Sequence, residues 1–191
     1  MREYRTAARR SRGDCGRMSR QDVYLSGVER FFDDDEVIVS KTDIPGRITY
    51  ANRVFQRVAG YDEAELMGAP HSIVRHPDMP RCVFKLLWDT LAAEQEIFAY
   101  VINRARNGDH YWVFAHVTPS YDAAGKVIGY HSSRRVPERR AVEAVIPLYK
   151  TLRDIEAGHA DRKQGMAASF AAVVDLLRSS GVSYDEFVFS L

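Results

Sequence analysis

Cysteine is almost absent from this chain: Cys15 and Cys82 are its only two, and no CxxC pair or Cys/His spacing accompanies them. A disulfide framework and a zinc site are therefore unsupported, and a reducing compartment is expected. No run approaches the roughly 18 consecutive apolar residues of a membrane span, and the arginine-rich start lacks the apolar segment of a signal peptide. The expectation is a cytoplasmic protein without a membrane span. Signatures of catalysis are equally scarce. No P-loop or glycine-rich phosphate cradle occurs, Ser132 and Ser133 lie in a strand-like run without a nucleophile-elbow context, and the six histidines are too scattered for a metal site. His159 reads as a solvated helix-end residue, and an enzyme is not expected.

Net charge is also lacking: the formal value is +1, which gives no general reason to bind nucleic acid or an anionic membrane. The balance is uneven, however. Residues 1–20 carry seven arginines against Glu3 and Asp14, a local charge of +5 that leaves −4 on residues 21–191. Residues 1–22 therefore read as a basic leader too poor in apolar residues to fold, with a phosphate or lipid contact as the competing reading.

What the chain does have is an ordinary globular composition, 46% hydrophobic and 28% charged over 191 residues, enough for one domain with appendages. Val37–Thr42 and Arg47–Tyr50 are β-rich runs punctuated by Ile44-Pro45-Gly46, a hairpin pattern. Val54, Phe55 and Val58 have helical spacing that stops at Gly60, and Tyr61–Leu66 reads as a further helical turn. Pro80 opens a longer helix whose Val83, Phe84, Leu87, Trp88 and Leu91 form one stripe. Three β-rich runs follow, 97–105, 110–119 and 126–135, with Asn107-Gly108 as a strong hairpin signal.

Strands, inserted helices and strands again make an α+β domain over residues 23–137, with its helices on one sheet face. Residues 138–191 then form a helical extension. One stripe runs from Val142 to Leu152, with Pro147 forcing a kink or restart and Gly158 ending it. A second runs from Met166 to Leu177, and a last short helix opens with a capping box at Ser183 and Glu186. The extension must pack on the sheet, on a second copy or on a partner.

Several strings make a more specific pattern. They are Thr49-Tyr50-Ala51-Asn52, Val74-Arg75-His76-Pro77-Asp78-Met79-Pro80, Phe84 with Trp88, Asn103-Arg104, and Asn107-Gly108-Asp109-His110-Tyr111-Trp112-Val113. Gly129-Tyr130 and Pro147-Leu148-Tyr149 join them. Through these strings Ile38–Val136, about 100 of the 191 residues, resembles the PAS sensor domain of bacterial aerotaxis receptors and their stand-alone relatives. The resemblance implies the PAS fold, a five-stranded antiparallel sheet with short helices on one face. It also implies a pocket for non-covalently bound FAD, with FMN as the variant, whose redox state reports oxygen or respiratory status.

Residue chemistry bears on that implication. Phe84 and Trp88, one helical turn apart, suit the walls of a flat apolar slot, although such a stripe is otherwise ordinary core. Asn52 and Asn103 carry paired donor and acceptor atoms for the carbonyl and imide edge of the ring. Asn52 has a competing role in closing the turn after the second strand, whereas Asn103 sits in a strand where Asn has little local reason to be. By the resemblance Arg75, His76 and Asp78 hold the flavin's polar edge or phosphates, the alternative being an Arg–Asp pair that staples their own loop. Tyr111 and Val113 must face one side of the sheet, with Trp112 and Phe114 on the other.

Two departures from relatives matter. Light-sensing domains of the LOV type carry Asn-Cys-Arg before the long helix, where this chain has Pro70-His71-Ser72-Ile73, so no photoadduct is expected and Cys82 reads as a small buried apolar residue. Aerotaxis receptors continue into membrane and methyl-accepting segments that have no counterpart in this sequence. The implied partner is therefore a separate signalling protein of chemoreceptor or kinase type, with a homodimer left open. The competing functions are a cofactor-free PAS docking module and a haem sensor. The latter would have only His71 or His76 near the helix as axial ligands.

Overall fold

The computed structural model describes residues 24–191, so the basic leader, residues 1–22, lies wholly outside the described residues. Five strands form one antiparallel sheet: β1 (Ile38–Asp43), β2 (Ile48–Ala51), β3 (Ile97–Arg104), β4 (His110–Tyr121) and β5 (Val127–Arg135), in the order β2-β1-β5-β4-β3. The two hairpins expected from the sequence are both present. Gly46 closes the β1–β2 turn at φ +82° and Gly108 the β3–β4 turn at φ +91°, conformations that glycine adopts without Cβ strain. Between β2 and β3 lie α1 (Arg53–Ala59), α2 (Glu63–Leu66), a 3₁₀ turn (His71–Val74) and α3 (Arg81–Ala92). Gly60 ends α1 in the left-handed conformation, as the break in apolar spacing suggests.

Alternation along β3 and β4 sends two sets of side chains to two covered faces. Tyr111 and Val113, both fully buried, join Phe55, Val58, Leu66 and Val74 beneath the inserted helices. Trp112 and Ile102 point the other way, into a second core with Val142, Val145, Tyr149 and Leu152. That second core belongs to the C-terminal extension, α4 (Arg139–Ala157), α5 (Arg162–Ser180) and α6 (Tyr184–Ser190). The extension thus packs on its own sheet.

Pro147 does not restart α4, which runs unbroken through it. A proline removes one intrahelical hydrogen bond, and here the carbonyl that loses it belongs to exposed Glu143, where water can replace the partner. The capping box at Ser183 and Glu186 is formed as expected.

β3 is an edge strand, and the extension and loops cover its free side. The hydroxyls of Tyr184 and Tyr149 donate to the carbonyls of Phe98 (2.8 Å) and Tyr100 (2.6 Å), and the Ile102 N–H donates to Met79 Sδ at 3.4 Å. Unpaired edge groups that would template another strand are thereby satisfied. At the β4 start, residues 26–30 run alongside, with Arg30 Nε donating to Asp109 at 2.7 Å and Ser26 Oγ at 2.6 Å.

Gly129 in β5 marks the tightest approach in the sheet. A Cβ there would fall 2.1 Å from the Thr42 carbonyl oxygen of β1, so the two central strands close only because the side chain is absent. Gly129→Ala is expected to lower unfolding free energy in urea by about 1–3 kcal/mol, the usual cost of overpacking, with an unchanged denaturant slope.

Candidate functional site

Where α3 and the 3₁₀ turn arch over the inner sheet face, they leave a cavity of about 150 Å³. Its apolar walls come from α3, with Phe84, Leu87, Trp88 and Leu91, and its floor from Val101, Ala115 and Val117. Trp88 is 43% exposed, so it is a wall at the mouth rather than core. Its ring meets Tyr130 edge-on at 5.6 Å and passes over Gly46, where a Cβ would touch it at 3.4 Å.

Polar groups enter from both sides. The Arg75 guanidinium lies 4.0 Å over the Phe84 ring, and the Arg75 backbone bridges to Asn103 of β3. Asn103 is 5% exposed and its side-chain amide, which lines the cavity, has no hydrogen bond among the described residues. An amide in such a place is poised for an outside partner.

The strongest polar feature is Arg134 of β5. It is 2% exposed and forms no ion pair among the described residues. Its Nη2 donates to Ser40 Oγ at 2.6 Å and its guanidinium stacks 4.4 Å over Phe55, but Nε and Nη1 are buried without a hydrogen-bond partner among the described residues. Burial pulls its pKa down to about 10, which still leaves it charged at neutral pH.

Ser40 Oγ also lies 3.0 Å from His71 Nε2. Desolvation, then the nearby Arg134 charge, push the His71 pKa down to about 3, so this imidazole is neutral and Nε2 can accept the Ser40 proton. His71 stacks on Phe55, with ring centroids 5.8 Å apart. Ser40, His71 and Arg134 therefore form one relay, all on the cavity wall.

Of the seven residues singled out from sequence, Arg75, Phe84, Trp88 and Asn103 converge on this cavity, whereas Asn52, His76 and Asp78 do not line it. Asn52 is the N-cap of α1. Its Oδ1 accepts from the N–H groups of Phe55 (2.9 Å) and Val39 (3.1 Å), and its Nδ2 donates to the Val37 carbonyl at 2.8 Å. The turn-closing role thus accounts for its whole amide.

His76 and Asp78 turn to the opposite side of the sheet. His76 is buried edge-on to His110, its Nδ1 accepting from the Asp78 N–H at 3.1 Å, and burial lowers its pKa to about 4. Asp78 is ion-paired with Arg153 of α4, so the loop is stapled to the C-terminal extension. Cys82 is buried in the second core, away from the cavity, as its reading as a small apolar residue requires.

Ser40 and Arg134 were missed by sequence reasoning, and His71 was weighed only as an axial ligand of the haem alternative. A signal existed in Tyr130, Ser132 and Arg134, which alternate onto one face of a strand that also needs burial, but nothing local reveals which face is covered. Apolar walls with orphaned donors at the far end suit a flat heteroaromatic ring bearing carbonyl and imide acceptors. They suit an aliphatic or cationic ligand poorly, because Arg134 would keep its unsatisfied N–H groups.

Residues 48–134 match the family model described as the PAS fold. The chain is 45% identical over 119 residues to the aerotaxis receptor of Escherichia coli (strain K12), a match spanning 62% of this chain and 23% of the receptor. It is 33% identical over 99 residues to the nitrogen fixation regulatory protein of Klebsiella pneumoniae, spanning 52% of this chain and 20% of that protein. The chain thus spans less than a quarter of the length of these relatives. Among solved structures it is similar to a light-oxygen-voltage domain studied with a flavin analogue, with TM-score 0.51, 18% identity, and coverage of 60% of this chain and 86% of that one.

Because the Asn52 amide serves only backbone groups, Asn52→Ala is expected to cost about 2 kcal/mol or more in urea unfolding, for a lost cap and two orphaned backbone partners. Asn103→Ala, whose amide has no hydrogen-bond partner among the described residues, is expected to change stability by less than about 1 kcal/mol in the same assay.

Proposed function

Residues 48–134 form a PAS domain, within a chain related to the aerotaxis receptor over a longer stretch, and from that premise we propose that this protein is a flavin-based redox sensor. The cavity holds the isoalloxazine ring of a non-covalently bound flavin, FAD in the first instance with FMN as the variant. Phe84 and Trp88 supply the flat apolar wall. Asn103 and Arg134 bind the acceptor edge, and Arg75 lies beside Phe84 at the cavity wall. The bound flavin supplies reversible electron and proton uptake, and everything else is positioning and charge from the protein.

The single observation that carries this reading is Arg134, a buried guanidinium on the cavity wall with two N–H groups left without acceptors. A ring carbonyl or ring nitrogen provides what those groups need. Negative charge on the reduced ring strengthens the contact, so Arg134 favours reduction and ties the redox state to the Ser40–His71 relay. Neutral His71 can accept a hydrogen bond from Ser40 or donate one to it, according to its tautomer, without adding a second positive charge. The protein itself is non-catalytic in this reading. It acts in the cytoplasm and passes its state to a separate chemoreceptor- or kinase-type protein.

The protein purified from riboflavin-supplied cells is expected to show absorption bands at about 370 and 450 nm, and chromatography of the heat-released cofactor identifies FAD or FMN. Colourless protein, or a Soret band, would overturn the proposal.

Arg134→Met is expected to keep the fold but move the flavin midpoint potential negative by about 30 mV or more, which for a two-electron couple is a tenfold loss in relative affinity for the reduced form. A spectro-electrochemical titration of the two proteins at one pH measures the difference, and an unchanged midpoint removes Arg134 from the mechanism.

A further inference from the structure

A second polar centre ties the C-terminal helices to the wall of the cavity. Glu156, near the end of α4 and 7% exposed, sits where α3, α4 and α5 meet. Its Oε1 accepts from the Cys82 backbone N–H at 2.9 Å and from Ser169 Oγ at 3.1 Å, and its Oε2 accepts from Arg81 Nε at 2.8 Å. The Cys82 N–H is one of the first-turn donors that no intrahelical carbonyl can reach, and Pro80 at the N-cap offers no side-chain acceptor. A carboxylate 74 residues downstream therefore caps α3, at the helix end that favours negative charge.

The same α3 presents Phe84, Leu87, Trp88 and Leu91 to the cavity. One turn before Glu156, Arg153 pairs with Asp78, in the loop between Arg75 at the cavity and the start of α3. α5 presses on the capping residue from outside: a Cβ at Gly165 would fall 2.5 Å from the Glu156 carbonyl oxygen. The polar contacts of the α3 N-terminus with α4 and α5 thus converge on one buried carboxylate, beside the apolar packing of Cys82, Val83 and Leu86 on the same two helices.

We propose that Glu156 is a latch through which α3 holds the α4–α5 arm, and that a shift of α3 driven by the state of the cavity's occupant releases the arm. Such a contact has two distinct states. A buried carboxylate is tolerated while its donors are in place, and becomes unfavourable once they move off. Apolar packing would weaken gradually with the same displacement, whereas the latch turns a small movement into opening or closing of the arm. The trigger rests on the flavin reading above; the latch does not.

Hydrogen exchange of the full chain, followed by mass spectrometry, separates these claims. Glu156→Ala and Arg81→Gln are each expected to raise exchange over residues 139–180 by about tenfold or more while leaving β1 and β5, which the arm does not cover, unchanged; Arg81→Gln removes the ion pair and keeps the Cys82 contact. In the wild type, chemical reduction of the flavin is expected to raise exchange in the same segment, and Glu156→Ala to abolish that difference. Unchanged exchange in both variants overturns the latch, as does a rise shared equally by β1 and β5, which marks simple loss of stability. With flavin bound, equal exchange in the two redox states overturns the trigger. Absence of flavin sinks the redox reading and leaves the variant comparison, which needs no cofactor, to decide the latch.

Discussion

Where the sheet is covered on both faces, along β3 and β4, both alternating sets of side chains must find cover, and this constraint organises the molecule. Under the inserted helices the burial is met by Tyr111, Val113 and Ala115; under the C-terminal helices it is met by Ile102 and Trp112. The rule is broken at a few inner-face positions, Ser40, Asn103, Ser132 and Arg134. All four lie around one cavity. Polar residues on a face that should be apolar are tolerable only when they satisfy one another or await a ligand. Ser40 and His71 do the first, and Asn103 and Arg134 are left to the second.

α3 belongs to both halves of this arrangement. Its Phe84 and Trp88 side walls the cavity, while Cys82 and Val83 enter the core shared with α4. A helix clamped between two cores cannot move toward one without disturbing the other, which makes it a natural carrier of a signal. The Arg75–Pro80 loop repeats this division on a smaller scale. Arg75 faces the cavity, and His76 and Asp78 face the extension. That a compact string points to both sides of the sheet follows from where it runs. It passes the free side of β3, bridging to Asn103 and placing Met79 Sδ beside Ile102.

Much of the fold was legible in the sequence because the decisive signals were local. Asn107-Gly108, the stop at Gly60, the Ser183 capping box and the strand alternation each need only neighbouring residues to be read. The α3 stripe was equally visible, yet it could not tell a cavity wall from core, since both are apolar; the 43% exposure of Trp88 decides it. Asn52 shows the opposite difficulty. Its competing readings used the same amide, and only the positions of Val37, Val39 and Phe55, two of them in or beside another strand, reveal that the backbone takes all of it. The grouping of Arg134, Ser40 and His71 was beyond reach, since Arg134 and Ser40 are 94 residues apart and meet only through strand register, and His71 joins them from the 3₁₀ turn. The covering of the outer face was likewise undetermined, because the extension's stripes fit a partner as well as the chain's own sheet.

The energetic position of Arg134 gives the functional reading its direction. Exchanging a buried, poorly paired ion for an apolar residue of similar volume is often neutral or stabilising, so stability alone does not call for a guanidinium there. The site moreover offers an easy apolar substitute, with Phe55 and Ala115 as neighbours across the ring and the strand. A charge held at such a place acts most strongly on whatever occupies the adjoining cavity, because low dielectric amplifies its field and no carboxylate among the described residues pairs with it. A ligand whose own charge changes between two states will feel that field differentially, and differential interaction is the only means by which a bound group can shift a conformational equilibrium. On the proposed flavin reading, the partly unpaired guanidinium, the neutral imidazole beside it and the helix clamped above them are the parts through which a charge change in the cavity would become a change of packing.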